Sequence, residues 1–322
     1  MAVHGLGHTL VIANPVAHSG KGAQATQLVR RFFESFSNAT TSFDLEMTRS
    51  MNDAVEIAAH AGGMDTVIAL GGDGIIHEVV NGLMAIDDRD RPTLGIIPMG
   101  TGNDFARSIH ETFNNPEASL RELLNGTVRT IDLGLVSSDL FPEGPVPGSK
   151  GTFFMETLSF GMDAAIAIDT THRRAAGTTT EGSALFMTST LKVALAGAAG
   201  YPCHASIDGE ELDLHSVMFA VQNGPTYGGG FRICPAASPF DGLLDICYNT
   251  YRPNLPHLLA LLVLARFGKH TRSGAVRFRQ AQTITLNFGD TMPPCQVDGE
   301  ELKGSRFEVR AVPQALNVIF PN

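Results

Sequence analysis

Short apolar runs alternate with amphipathic stretches through the first third of the chain: 8–13 then 23–36, 42–47 then 52–61, 66–70 then 75–84, and 93–97 then 103–109. Unbroken or two-residue apolar spacing suits strands, and recurrence every three to four residues suits helices. Four βα repeats in series predict a mostly parallel sheet flanked by helices, because parallel neighbours need crossover connections. Ligands of such sheets bind at the carboxyl ends of the strands.

Beyond Thr130 the pattern changes to β-rich runs at 152–158, 211–221, 244–249, 275–279 and 282–287, separated by Gly/Pro turns. An antiparallel β-domain follows, with helix-like insertions at 184–199 and 253–267. The three prolines of 141–151 predict a surface loop, and 173–181 reads as a mobile segment.

A chain of 322 residues fits two domains. Its 43% hydrophobic and 17% charged residues describe a globular interior, and its 34 glycines predict many tight turns. A formal net charge of −10 opposes a nucleic-acid partner, which needs a basic face. Cys203, Cys234, Cys247 and Cys295 are too far apart for paired zinc or redox motifs, so they read as buried small hydrophobes in a reducing cytoplasm. The first ten residues lack signal-peptide features. The longest apolar run, 258–265, falls well short of the ~20 residues that cross a bilayer.

Three glycine-rich stretches fall where strands are predicted to end: NPVAHSGKG at 14–22, GGDGIIHEVVNG at 71–82 and PMGTGNDF at 98–105. Glycines there let backbone N–H groups approach a phosphate, and the following helix N-termini add positive partial charge. Each alone is explained by a tight βα turn; three on one sheet edge point to an anionic ligand. The P-loop pattern fails, with Pro15 and Gly22 at required positions, and so does the dinucleotide pattern, with His77 where its third glycine belongs. His77-Glu78 followed by Asn81 misses the zinc-protease motif, since Asn replaces the second histidine. Glu78 then reads as a polar helix-face residue.

The same residues carry a family resemblance. NPxxxxGKG, GGDGxxxEVxNG and PxGTGND resemble the catalytic signature of diacylglycerol, sphingosine and ceramide kinases. The similarity continues through Asp132-Leu133-Gly134, Asn223-Gly224, Gly228–Gly230, 235–245 and Asp298-Gly299-Glu300. NAD kinases share GGDG, but the PxGTGND and late DGE elements favour the lipid-kinase branch. The resemblance implies an α/β nucleotide domain at 1–132, rejoined by 312–322, and a β-rich lipid domain at 133–311. It implies ATP as donor in a site between the domains, with Gly71, Gly72, Asp73, Gly74, Ile75, Ile76 and His77 around the phosphates. Asn14, Thr48, Gly100, Thr101 and Asn103 supply further contacts.

Asp73 is expected nearest a catalytic Mg²⁺, a cation that prefers carboxylate and phosphate oxygens. The bland alternative is a turn aspartate satisfying its own backbone. Asp241, with the backbone oxygens of Ser238 and Leu243, matches the family's second, structural metal position, although a loop Asp before Gly is commonly only a turn former. Glu300 is nominated as the base that takes the acceptor proton. Ile75 departs from the family, which carries Thr after GGDG, so a hydroxyl expected on the nucleotide phosphates is missing.

The implied reaction converts ATP and a lipid alcohol, diacylglycerol first, to ADP and a lipid phosphate. A soluble-metabolite kinase and a nucleotide-binding regulator without turnover stand as rivals. The apolar stretch 255–267 and the basic Arg266, Lys269, Arg272, Arg277 and Arg279 suit peripheral contact with the inner face of a membrane, and equally a core helix followed by a solvated strand. A homodimer stays open. Two copies of DGEEL, at 208–212 and 298–302, are locally indistinguishable; the second is chosen because it precedes the segment expected to return to the nucleotide domain.

Overall fold

The structure, a computed structural model, describes residues 5–17, 20–36, 42–176, 178, 182–197 and 200–322. The backbone divides into two compact units: 1–131 with 143–149 and 314–322, and 132–142 with 150–313.

The first unit alternates β1 (His8–Ala13), α1 (Lys21–Phe36), β2 (Ser42–Met47), α2 (Asp53–Ala59), β3 (Thr66–Gly71), α3 (Asp73–Leu83), β4 (Thr93–Pro98), α4 (Asp104–Ser108) and α5 (Pro116–Asn125). All four strands are parallel in the order β2-β1-β3-β4. Every residue of β3 is buried, as a central strand covered on both faces should be, whereas edge strand β2 is largely exposed. Val11, Ala13, Ile68 and Leu70 pack with Val29 and Phe33 of α1 and Leu120 and Leu123 of α5. By the two-residue pleat, Leu10, Ile12, Val67 and Ala69 turn to the opposite face, which α2 and α3 cover. α5 was not read from the sequence; Asn115 caps it by accepting the Ala118 N–H, and Pro116 opens its first turn.

The chain then runs through β5 (Thr127–Ser138), β6 (Thr152–Phe154), β7 (Thr157–Gly161), α6 (Met162–Ala175), α7 (Gly182–Ala196), β8 (Tyr201–Ile207), β9 (Glu210–Ser216), β10 (Met218–Gln222) and β11 (Leu244–Asn249). It continues with α8 (Leu255–Arg266), a short 3₁₀ turn at Lys269–Arg272, β12 (Val276–Ala281), β13 (Thr283–Asn287), β14 (Cys295–Val297), β15 (Glu300–Glu301) and β16 (Arg306–Phe320). In the second unit one antiparallel sheet has the order β12-β11-β10-β7-β14-β15. The other pairs the start of β16 with β13, then β8 and β9. Side chains from both sheets share one core, in which Phe160 meets Phe307 edge-on at 4.8 Å. The end of β16 belongs to the first unit, where Val318 pairs in parallel with Leu94 of β4.

Residues 173–175 close α6 instead of lying in a mobile segment, because Met162–Ala175 forms a continuous helix whose Ile166 is buried. Residues 177 and 179–181 of that expected segment, and 198–199 of the expected helix 184–199, lie outside the described residues.

Candidate functional site

The carboxyl ends of β1 to β4 gather the glycine turns of the first unit. Asn14 donates its backbone N–H to the Leu70 carbonyl at 2.9 Å, and its side chain accepts the Val16 N–H at 3.1 Å. Thr48 follows β2 and donates its backbone N–H to the Ala13 carbonyl at 2.9 Å. His18 and Ser19, inside the first glycine stretch, lie outside the described residues.

The β3–α3 and β4–α4 turns are locked together. Met99 donates its N–H to the Gly71 carbonyl at 2.6 Å. A Cβ on Gly100 would sit 2.7 Å from the Gly72 Cα, so the two backbones pass at a distance only glycine permits. Asp73, first residue of α3, bridges them: its Oδ2 accepts the Asn103 N–H at 2.8 Å and its Oδ1 the Asp104 N–H at 2.9 Å. That carboxylate accepts the amides at the start of α4, whose left-handed Asn103 makes no side-chain cap of its own. Asn103 is fully buried and closes the turn on itself, accepting the Gly100 N–H and donating to the Gly100 carbonyl, each at 2.8 Å.

What these turns can present to an anion is mainly backbone. The first amides of α3, at Asp73, Gly74 and Ile75, stand at the positive end of the helix. The side chains of Ile75, Ile76 and His77 are 6%, 0% and 7% exposed. Ile75 packs its Cγ2 over Gly71, and His77 Nε2 lies 3.4 Å from the Asn81 amide. Glu78 accepts the Ala54 N–H at the start of α2. Gly71, Gly72, Asp73, Gly74, Gly100, Thr101 and Asn103 are thus brought together, with Asn14 and Thr48 on the adjoining strand ends.

Asp104 adds a second carboxylate that the sequence reading did not single out. A Cβ on Gly102 would lie 2.7 Å from Asp73 Oδ2 and 3.2 Å from Asp104 Oδ2, so both oxygens border the same glycine. Two hard carboxylate oxygens beside backbone amides at a helix N-terminus are chemically suited to a magnesium ion. Among the described residues no cluster of three or more His, Cys, Asp or Glu is gathered.

The remaining nominated residues lie in the second unit. Asp241 accepts the Leu243 N–H at 3.1 Å and the Gln280 amide at 3.4 Å, and Gln280 also donates to Asp245 at 3.2 Å. Burial holds the Asp245 carboxyl above its usual range; the Gln280 hydrogen bond opposes this and the Asp241 charge adds to it. The loop that carries Ser238, Asp241 and Leu243 wraps Asp132, which donates its N–H to the Pro239 carbonyl and accepts the Gly242 N–H at 2.7 Å. Asp241 is exposed, and a single carboxylate is by itself a weak cation donor.

The two DGEEL copies fold as the same turn. Asp208 and Asp298 have φ of 47° and 46°, each followed by a left-handed glycine, and the flanking pairs are Ile207↔Glu210 and Val297↔Glu300. Each aspartate is an anchor: Asp208 accepts from Gln282, Thr283 and the Thr283 hydroxyl, and Asp298 from the Met155, Glu156 and Thr157 amides at 2.9–3.1 Å. The glutamates differ. Arg279 grips Glu210 with two bonds of 2.7 and 3.0 Å and lowers its pKa, whereas the Glu300 side chain is exposed and makes no ion pair or hydrogen bond among the described residues. Arg279 is therefore not a spare surface cation.

Residues 8–136 match the family described as diacylglycerol kinase catalytic domain, and 156–320 match the YegS C-terminal NAD kinase beta sandwich-like domain. A Serratia proteamaculans protein named "Probable lipid kinase YegS-like" is 29% identical over 308 residues, covering 94% of this chain and 92% of the relative. "Diacylglycerol kinase" of Bacillus subtilis is 27% identical over 305 residues, covering 90% and 88%. The crystal structure of a diacylglycerol kinase from Bacillus anthracis strain Sterne superposes with a TM-score of 0.75 at 21% identity, covering 99% of this chain and 98% of that one, a likeness of fold. With one family match on the unit that carries the glycine turns and another on the unit that carries Glu300, the chain belongs to the diacylglycerol kinase-like lipid kinase family.

Proposed function

We propose that this chain transfers the γ-phosphate of ATP to the hydroxyl of a lipid, with diacylglycerol, giving phosphatidic acid, as the first substrate to test. The observation that carries the reading is the Asp73 carboxylate tying two glycine turns into one cradle at the N-terminus of α3. Backbone N–H groups at Asp73–Ile75 receive the phosphates, and fixed peptide dipoles there stabilise charge without reorganising. Asp73 and Asp104 would hold Mg²⁺, which when bound neutralises charge on the transferring group. Phosphoryl transfer passes through a loose transition state, so positioning and charge stabilisation do most of the work.

Glu300 takes the acceptor proton. The plainer reading, a glutamate that merely starts an exposed strand, fits Glu210 better, because Glu210 has a partner that competes for its oxygens. Asp241 with the carbonyls of Ser238 and Leu243 is the proposed second cation position, holding the loop around Asp132. The rival reading, a soluble-metabolite kinase, is separated by the acceptor: purified protein given MgATP should phosphorylate diacylglycerol in vesicles and leave NAD untouched. Phosphorylated NAD with unmodified lipid would overturn the proposal.

A further inference from the structure

The two apolar helices of the second unit bury one face and leave the other uncovered. Phe186, Val193 and Ala194 of α7 and Leu258 and Leu262 of α8 pack into one cluster with Met162 and Ile166 of α6. The intervening positions point away from that cluster: Met187, Leu191 and Leu195 on α7, Leu259 and Val263 on α8, and Phe267 just past its end. Four-residue spacing lines each set along one helix face. Met187, Leu195, Val263 and Phe267 are 60–65% exposed. α7 packs against α8, so both uncovered stripes belong to one helix pair. Single exposed apolar residues are ordinary, but a contiguous patch marks an interaction surface.

The charge around this patch selects the partner. The chain carries −10 overall, yet 182–207 and 246–289 contain no Asp or Glu. Lys192 is paired with Asp169, Arg279 with Glu210, and Arg266 donates to the Gly230 carbonyl. Lys269 and Arg272, in the turn after Phe267, are exposed and make no ion pair among the described residues. A second copy would bring the same cations against each other across a two-fold axis. An anionic leaflet complements them.

We propose that α7 and α8 dock on an anionic bilayer, lying in its surface plane with the apolar stripes in the headgroup boundary and Lys269 and Arg272 against acidic headgroups. No helix among the described residues is long and apolar enough to span a bilayer, so the contact is interfacial. The proposal rests on the reading that the acceptor is a lipid, which has to be met at a membrane.

Flotation with vesicles of phosphatidylcholine alone, or mixed with phosphatidylglycerol, tests it without ATP or acceptor present. The wild-type chain should float with the mixed vesicles. Leu195→Ser with Val263→Ser should weaken binding at least ~10-fold, since each buried side chain contributes a sizeable transfer term. Lys269→Gln with Arg272→Gln should lose ~30-fold on mixed vesicles and little on neutral ones, following about 1 kcal/mol per charge. Both variants should keep the wild-type melting temperature and the wild-type rate on a monomeric short-chain acceptor. Equal flotation of all proteins would overturn the proposal, as would a wild-type dimer in sedimentation that the serine variant dissociates. Vesicle binding with this dependence but no phosphoryl transfer would uphold the docking face and sink the kinase reading alone.

Discussion

Replacing Glu300 and Glu210 separately by Gln is the sharpest internal control, because the two residues follow identical turns and differ in what holds their carboxylates. Glu300→Gln keeps size and hydrogen-bonding capacity but cannot accept a proton as a base. The turn should survive, since it is held by the three amides on Asp298 and by the Gly299 N–H, which donates to the buried Gln296 side chain at 2.7 Å. General-base assistance contributes ~10²–10⁴-fold, so the barrier should rise by ~2.7–5.5 kcal/mol. In a vesicle assay with saturating MgATP, kcat should fall at least ~10²-fold while KM for ATP stays within about twofold. Glu210→Gln removes only an exposed pair with Arg279 and should leave kcat unchanged. Equal losses in both variants, or a full rate in Glu300→Gln, would refute the assignment of the base.

Asp73→Ala should abolish turnover and also lower the melting temperature, because it strips two amides of a charged acceptor and such bonds contribute ~1.5–3 kcal/mol each; a silent melt would show that the latch is not structural. Asp241→Asn should stabilise slightly without Mg²⁺ by relieving the charge beside Asp245, and abolish any Mg²⁺-dependent rise in melting temperature; an unchanged Mg²⁺ response would remove the second cation position. Glu111 is 3% exposed, and burial, followed by the nearby Glu122 charge and a hydrogen bond to the Glu122 side chain, pushes its pKa up from 4.5 to about 9. The native state therefore holds the proton that the unfolded chain releases above 4.5, and stability falls as pH rises from there through about 9. Glu111→Gln should gain on the wild type by at most ~1.4 kcal/mol per pH unit across that window, read from denaturant melts at pH 5 and pH 8; parallel curves would contradict it.

The first four βα units were legible because strand and helix periods alternate cleanly and glycines punctuate each junction. What escaped was set by tertiary contacts. The single run expected at 211–221 is two strands, since Asn249 of β11 reaches across to accept the Val217 and Met218 amides and the Ser216 hydroxyl, breaking the ladder there. α6 went unread because its 14 residues begin directly at the left-handed Gly161 that ends β7, with no loop between. The glycine motifs located the two linked turns, yet motif membership does not say which way a side chain points: Asn103 and Ile75 turn inward, and Asp104 joins Asp73 at Gly102. The pair with Arg279 that sets Glu210 apart from Glu300 could not be read from the sequence, because the partners are 69 residues apart and meet only by folding.

Transfer of label from γ-³²P-ATP tests the central claim most directly. Purified protein with Mg²⁺ and vesicles containing diacylglycerol should form one labelled phosphatidic acid for each ADP released, and Asp73→Ala should form none. ADP release without labelled lipid, across diacylglycerol and other lipid alcohols alike, would contradict the account.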